Sequence, residues 1–542
     1  MIKFNTFKVI NSLSYFLVSK LRKIYLSSSV YNKRISKVKS QVIEYKPKLN
    51  ILDCLIKYKK KKFNIEEIQT SKIWDNMNIN SPSYKKLNNF FWLFTIDLKS
   101  SSEVTQSIIN RWIDKNHRYN DHNWDLNVLS KRIISWISNS KLTYDNGNDN
   151  YKYKFNFSIK KQINHLINEI NSSELYNDKM FGCTAIILCG LSFKDENYLS
   201  YGRKLLKDII NYSFDDEGFP KTRNFRQLIF FLKHFVLIRE LFKDAQHEIP
   251  DYLNEIIFYA GQGYNLLWQK SKQSILYNGS QELNNDEFDK YLKTNGYKFN
   301  SETNLIGGYA QLSNKQIFIT MDLGNPPEKK FSNNYQSGAL SFEFSYLGEK
   351  VICNSGYFQK LSHRLNSISR LSVSHSTLNI DNCSSVSFNS TKDGSKIINR
   401  GFNILSRKIN KKNDCWVISG AHDSYLKNYG LIHERELKYY DKTNTLNGLD
   451  ILKKSKDNNK YDFEIRFHLY PGAKVTKTID RKTILIEINN SGWKFSCFDD
   501  FIDIETGLYF GKKNKYIENT NIFIYGKTSI ENKNINWELK KI

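Results

Sequence analysis

Gly307-Gly308-Tyr309, Met321-Asp322-Leu323-Gly324-Asn325-Pro326-Pro327, Leu340-Ser341-Phe342-Glu343, Asn354-Ser355-Gly356 and Arg370-Leu371-Ser372-Val373-Ser374-His375-Ser376-Thr377-Leu378 follow one another in about seventy residues. Between and within these pieces apolar residues alternate, first Ile317, Ile319 and Met321, then Leu340, Phe342 and Phe344, while Gly, Asn and Pro mark the turns. Alternation of period two predicts strands with one buried face. The run closes on a histidine bracketed by hydroxyls, with Arg370 shortly before it, so a reactive side chain is expected at a strand end of a β scaffold.

Downstream the same pattern persists to the C-terminus, punctuated at Asp393-Gly394, Asn447-Gly448 and Asn489-Asn490-Ser491-Gly492, which predicts a β-sandwich. Upstream the period changes. Phe91, Phe94, Leu98, then Ile108, Ile109, Trp112, Ile113, then Leu126, Leu129, Ile133, Trp136 and Ile137 recur at three- and four-residue steps, and further helical stretches cover 158–170, 178–192, 196–212, 225–242 and 249–270. Antiparallel helix pairs joined by short polar loops fit a solenoid or a closed α/α barrel, and the lack of a fixed repeat counts against the solenoid. Trp112, Trp124 and Trp136 read as core, as do Cys183 and Cys189. Residues 271–306 form the junction. The expected organisation is α+β and multidomain: a basic helical appendage over 1–70, a helical domain over 71–275 and a β-sandwich over 276–542.

The 542-residue chain exceeds a single core, and its 40% hydrophobic and 14% aromatic content excludes wholesale disorder. A net charge of +26 favours anionic partners as a class without choosing among phosphate, lipid and acidic polysaccharide. Seven cysteines without a Cys-x-x-Cys spacing exclude a full disulfide framework and a zinc ribbon. The stretch from Val9 to Val18 is interrupted by Asn11, Ser12 and Ser14, too short for the roughly 18 apolar residues of a membrane span and without a clear cleavage site. Neither a signal peptide nor a transmembrane segment is expected; an amphipathic helix lying on the protein or on a membrane surface is the simpler reading. The run Lys57-Tyr58-Lys59-Lys60-Lys61-Lys62 could grip phosphates, yet no nucleic-acid fold motif accompanies it, and a solvated lysine run is the commoner case.

In order and spacing, the glycine-tyrosine strand, the Asp-x-Gly-x-Pro-Pro turn, the Leu-Ser-Phe-Glu strand, the Asn-x-Gly turn and Arg370 followed by His375-Ser376-Thr377-Leu378 resemble the C-terminal β-domain of the heparinase II/III polysaccharide lyases. A weaker likeness extends upstream through Trp92-Leu93-Phe94, Trp124, Arg132 to Trp136, and Asp216-Glu217-Gly218 with Arg223-Asn224. The resemblance implies an incomplete α/α toroid followed by an antiparallel β-sandwich, acting on an acidic, uronic-acid-containing polysaccharide by β-elimination. Cell-envelope or periplasmic location goes with that family, while the missing signal leaves the cytoplasm open.

Such elimination removes a weakly acidic proton beside a carboxylate, so it needs charge neutralisation, a base and a proton donor for the leaving oxygen. His375 is the expected base or carboxylate partner, against the alternative of a structural histidine under a turn. Arg370 and Arg223 are expected to neutralise charge, with Asn224 and Asn177 hydrogen bonding to substrate. By the resemblance a tyrosine should follow the Asp-Gly turn, but here Phe225 comes after Asp216-Glu217-Gly218 and Arg223-Asn224, which leaves Tyr309 and Tyr425 as the expected proton donors. Some family members hold a metal in this domain through two histidines and an aspartate, so the resemblance makes a zinc site at His422, Asp423 and His433 a further expectation. Two other functions stay open: a non-catalytic carbohydrate-binding or envelope-assembly protein on this scaffold, and an anionic polymer binder using the Lys57 to Lys62 run.

Overall fold

A computed structural model describes residues 18–55, 78–79 and 81–542, apart from 362, 392–393, 413, 456–458, 489 and 514. The lysine run at 57–62 and residues 9–17 of the N-terminal apolar stretch lie outside the described residues. Two compact units emerge, one of residues 1–212 with 233–255, the other of 213–232 with 256–542. Their boundaries are not at 70 and 275: residues 213–232, which include the first two turns of helix Phe225–Asp244, and residues from Ile256 onward group with the strands.

The first unit is built from helices Ser102–Lys115, Leu126–Ser138, Asp149–Glu169, Tyr176–Phe193 and Glu196–Ser213. Trp112, Trp124 and Trp136 are core residues, as are both Cys183 and Cys189. Arg132, within the Arg-Ile-Ile-Ser-Trp stretch, is wholly buried: Nη2 donates to Gln162 Oε1 at 2.6 Å and to Asn123 O at 2.9 Å, and the guanidinium stacks 4.0 Å from the Trp112 ring. Helix Asp149–Glu169 begins well before the periodicity at 158, under an Asn148 cap. Its first turns read Tyr151-Lys152-Tyr153-Lys154-Phe155, which mimics strand alternation, yet the buried pair is Tyr151 and Phe155 at helical spacing, with Tyr153 left exposed. The N-terminal segment belongs to this unit: Tyr31 OH meets His165 Nδ1 at 2.8 Å, Arg22 pairs with Glu169 at 2.7 Å and Asn164 Nδ2 donates to Ile35 O at 3.0 Å. No helix among the described residues is long and apolar enough to cross a membrane.

The second unit holds two large antiparallel sheets. One orders Leu305–Ile306, Tyr309–Ser313, Ile317–Asp322, Phe342–Tyr346, Glu349–Cys353, Asp462–Leu469, Ile517–Lys527 and Phe501–Tyr509, with Leu378–Ile380 also paired to Asp462–Leu469. The other orders Lys474–Lys477, Thr483–Ile488, Ser491–Cys497, Lys533–Lys541, Thr445–Lys454, Leu431–Tyr440, Trp416–His422 and Ile404–Lys411. Leu431–Tyr440 alternates buried and half-exposed residues at every step, so Leu431, His433, Arg435, Leu437 and Tyr439 all point inward. Phe342, Phe467 and Phe495 gather on Trp537, which lies so close over Gly448 that any Cβ there would stand 2.0 Å from the indole.

Ile317–Asp322 and Phe342–Tyr346 are buried along their whole length, not on one face as the alternation predicted. Their second face carries polar groups with internal partners: Thr320 Oγ1 meets Tyr277 OH at 2.9 Å, and Glu343 pairs with Lys350 at 2.8 Å. Leu340 lies in the turn before its strand at φ 53°. The predicted junction contains a helix, Asp286–Thr294, whose first turn holds Asp286, Glu287 and Asp289 and whose buried residues Phe288, Tyr291 and Leu292 share a face.

Candidate active site

The loop before helix Phe225–Asp244 turns on Asp215, whose Oδ1 accepts from the Phe219 amide at 2.8 Å, and delivers Arg223 at φ 57°. Its guanidinium donates to Asp322 Oδ1 at 2.6 Å, to Gly307 O at 3.1 Å and to Gly324 O at 3.3 Å, and lies 4.7 Å from the Tyr309 ring. The two glycine-rich pieces of the deciding stretch are thus tied together by one buried arginine. Tyr309 OH donates to Arg223 O at 2.6 Å and accepts from Asn278 Nδ2 at 2.6 Å. Burial drives the Tyr309 phenol above its ordinary pKa and Arg223 only partly offsets this. Asn224 Oδ1 accepts from the amides of Arg226 at 2.9 Å and Gln227 at 3.3 Å, a helix-capping geometry.

The Leu-Ser-Phe-Glu strand and the Asn-x-Gly turn interlock in the same way. Glu343 Oε1 accepts from the Asn354 amide at 3.0 Å, and Asn354 Oδ1 accepts from the Ser376 amide at 3.0 Å. Ser376 Oγ donates to Cys353 O at 2.7 Å, Thr377 Oγ1 to Ala339 O at 2.5 Å, and Arg435 Nη1 to Ser376 O at 2.7 Å. Arg370 is fully buried: it donates to Asn366 Oδ1 at 3.2 Å, Tyr335 O and Lys396 O at 3.3 Å each, Tyr357 OH at 2.7 Å and Asn333 O. Arg370 and Arg223 therefore direct their donors at the protein itself.

His375 sits between the short helical turn Ser372–Ser374 and strand Leu378–Ile380, with extended backbone at φ −131°. It is 1% exposed, and among the described residues neither Nδ1 nor Nε2 has a hydrogen-bond partner. Gly338 faces the ring; a Cβ there would lie 3.2 Å from Nδ1. Burial, with the nearby His468 adding to it, pulls the imidazole down to about 3, so the ring is neutral near neutrality. His468 itself is engaged, Nδ1 with Ser355 Oγ at 3.1 Å and Nε2 with Val373 O at 3.0 Å.

The expected metal set does not form. Asp423 lies just past the end of strand Trp416–His422, and its carboxylate accepts from the Asn403 amide at 2.6 Å and from Asn403 Nδ2 at 3.0 Å. His433 contacts His422 Nε2 through Nδ1 at 3.2 Å and Asp450 Oδ1 through Nε2 at 2.7 Å, and Arg435 Nε reaches the same Asp450 Oδ1 at 2.8 Å. Burial opposes the Asp450 charge, but Arg435 and His433 outweigh it and hold the carboxyl below its ordinary range. Among the described residues no three His, Cys, Asp or Glu side chains gather as a metal-ligand set.

Tyr425 is buried with its hydroxyl on Leu378 O at 2.9 Å, bracing the strand after His375. Asn177 lies exposed in the first turn of helix Tyr176–Phe193 of the helical unit. Sequence reasoning missed Asn278, Gln336, Arg435 and Asp450. Asn278-Gly279 could have been found as a turn aimed at the deciding stretch, since both residues take positive φ and Gly279 N donates to Gln336 Oε1 at 2.9 Å. Nothing in the local pattern marks Asp450, whose partners come from neighbouring strands and from Trp537 Nε1 at 2.9 Å.

Residues 304–538 match the family model described as heparinase II/III-like, C-terminal. Among solved structures the chain is similar to the heparan sulfate lyase HepC from Pedobacter heparinus, at 14% identity and a TM-score of 0.68 over 94% of this chain and 87% of that one. It is also similar to the heparinase III BT4657 gene product, at 14% identity and a TM-score of 0.68 over 86% of this chain and 80% of that one. At such identity the likeness shows the fold, a helical toroid region with a β-sandwich. No curated protein sequence matches the chain.

Proposed function

We propose, from the match of residues 304–538 to the heparinase II/III-like C-terminal family model, that the chain is a polysaccharide lyase that cleaves an acidic, uronic-acid-containing glycan by β-elimination, in the cell envelope. The similar structures named as heparan sulfate lyases support the substrate class. The observation that carries the reading is His375. Among the buried histidines of the β-domain, His422, His433 and His468 each use both ring nitrogens, and His375 uses neither. A neutral imidazole of this kind accepts a proton or donates to a carboxylate. The hydroxyl-rich loop around it is pinned by Asn354, Arg435 and Arg370, which fixes its backbone as a positioned base requires.

In this reading Arg223, Arg370 and Tyr425 position the loops, and Tyr309 is the proton donor only if its hydroxyl leaves Arg223 O. A divalent metal has no role assigned, since His422, Asp423 and His433 do not converge. A second reading, binding of the glycan without cleavage, is favoured by one observation: Phe225, not a tyrosine, follows Asn224, and the hydroxyls of Tyr309 and Tyr425 are both bonded within the protein. Purified protein incubated with a panel of uronate polymers separates the two. The lyase reading expects absorbance from an unsaturated uronate end with at least one polymer; binding to several polymers with no chromophore from any would establish the second reading instead.

A further inference from the structure

In the helical unit, a cavity of about 400 Å³ opens between the N-terminal segment at residues 38–42 and helix Asp149–Glu169. Its volume is that of a small-ligand site. Lys160 is 1% exposed, its Nζ donates to Lys39 O at 3.1 Å and to Gln41 Oε1, and it lies 4.8 Å from the Phe193 ring. Among the described residues no carboxylate forms an ion pair with it, so its direct contacts are neutral acceptors and an aromatic face, with Asp195 acting only at longer range. Lys39 and Lys152 line the same cavity, with Asp149 the acidic residue among its lining. Burial lowers the Lys160 pKa; Cys189 and Asp195 offset it in part and repulsion from Lys39 adds a little, and the remaining cost is one that a bound anion would relieve.

The remaining lining suits a sugar. Asn156 is buried; its Nδ2 donates to Tyr144 OH at 3.0 Å, while Oδ1 has no protein partner. That amide oxygen is an acceptor for a hydroxyl. Tyr153 is 59% exposed and stacks on Phe157 at 6.3 Å and 22°, one turn on along the helix, giving a flat aromatic surface at the cavity. Such faces pack well on the C–H side of a pyranose. Phe193 ends the helix whose first turn holds Asn177, so the cavity lies at the far end of an 18-residue helix, about 25 Å from that residue.

We propose that this cavity is a second, non-catalytic saccharide site that takes one carboxylate-bearing ring of an acidic glycan, the carboxylate facing Lys39, Lys152 and Lys160, a hydroxyl facing Asn156, and the ring face on Tyr153. The choice of an acidic glycan rests on the proposed function, whereas the cation and aromatic arrangement does not. Amine-acetylation footprinting of the full chain, read by mass spectrometry, tests it with a hexasaccharide alternating glucuronate and N-acetylglucosamine. Protection of Lys39 and Lys152 by that probe, with neither its carboxyl-reduced form nor inorganic sulfate protecting them, is the expected result. Absence of protection, or equal protection by the reduced form or by sulfate, overturns the assignment; the latter would mark a simple anion pocket.

Lys152→Glu is expected to raise the concentration needed for Lys39 protection about tenfold, the loss of one charge-assisted contact. Tyr153→Ala, at an exposed position, is expected to do the same with an unchanged melting temperature, and unchanged protection in both variants would contradict the site. Footprinting needs no turnover. Protection without any unsaturated product would sink the lyase reading and keep this site, and product without protection would do the reverse.

Discussion

His433 gives both ring nitrogens to neighbours, one to His422 and one to Asp450, whereas His375, buried to the same degree in the same domain, gives neither to the protein. Around each, the chain is fixed by arginine: Arg435 holds Asp450 beside His433, and the same Arg435 reaches Ser376 O, next to His375. One histidine is thus part of the brace, and the other is what the brace holds. The difference teaches that burial alone does not separate framework from chemistry in this domain; the hydrogen-bond ledger of the ring does.

The largest expected effect comes from breaking the brace. Asp450→Asn leaves Arg435 buried without its counter-charge, and a loss of ~3–5 kcal/mol is expected in denaturant unfolding. A loss below ~1 kcal/mol would mean that the pair is idle. Arg370→Lys comes next. A lysine cannot reproduce the planar fork that serves Tyr335 O, Lys396 O and Tyr357 OH, so ~2–3 kcal/mol should go, and full stability in that variant would show that its carbonyl contacts are dispensable.

The pH dependence tests the buried, neutral state of His375 directly. The folded pKa of His375 is lowered to about 3, below the ordinary ~6.5, so as pH falls the unfolded chain takes the proton first. Its stability contribution is complete above ~6.5 and is lost progressively down to the folded value. Replacing it by Gln is expected to flatten the fall in stability between pH 6 and 4 by ~1.4 kcal/mol per unit, and superimposable wild-type and variant profiles would contradict a buried neutral imidazole. The smallest effect is expected from Tyr425→Phe, which removes the hydroxyl's neutral hydrogen bonds to Leu378 O and, longer at 3.4 Å, to Cys383 O: ~1 kcal/mol of stability, with turnover retained. Abolished turnover in a stable Tyr425→Phe protein would return that tyrosine to the chemistry.

Much of the fold was readable. Alternation in Leu431–Tyr440 and helical spacing in Leu126–Ser138 each state their own burial, and the core positions of Trp112, Trp124 and Trp136 followed from period alone. Where the period misled, a second face was covered, as in Ile317–Asp322, and the helix Asp149–Glu169 starts ahead of the stretch read from 158. The site was legible as a set of motif residues but not as a set of roles. Arg223, Arg370 and Tyr309 have the chemistry of carboxylate and proton partners, and only the tertiary register shows that Asp322, Gly307 O, Tyr335 O and Arg223 O occupy those groups. His422-Asp423 looked like a ligand pair because adjacency in sequence hides that the strand ends between them, leaving the Asp423 carboxylate on Asn403.

The most direct measurement is formation of unsaturated uronate by wild type and His375→Ala on the best polymer of the panel, alongside the melting temperature of each. The account predicts product from the wild type, none from the variant, and melting temperatures within a few degrees of one another. Undiminished product from His375→Ala, or a variant that no longer folds, would contradict the claim that this histidine is held by the domain rather than holding it.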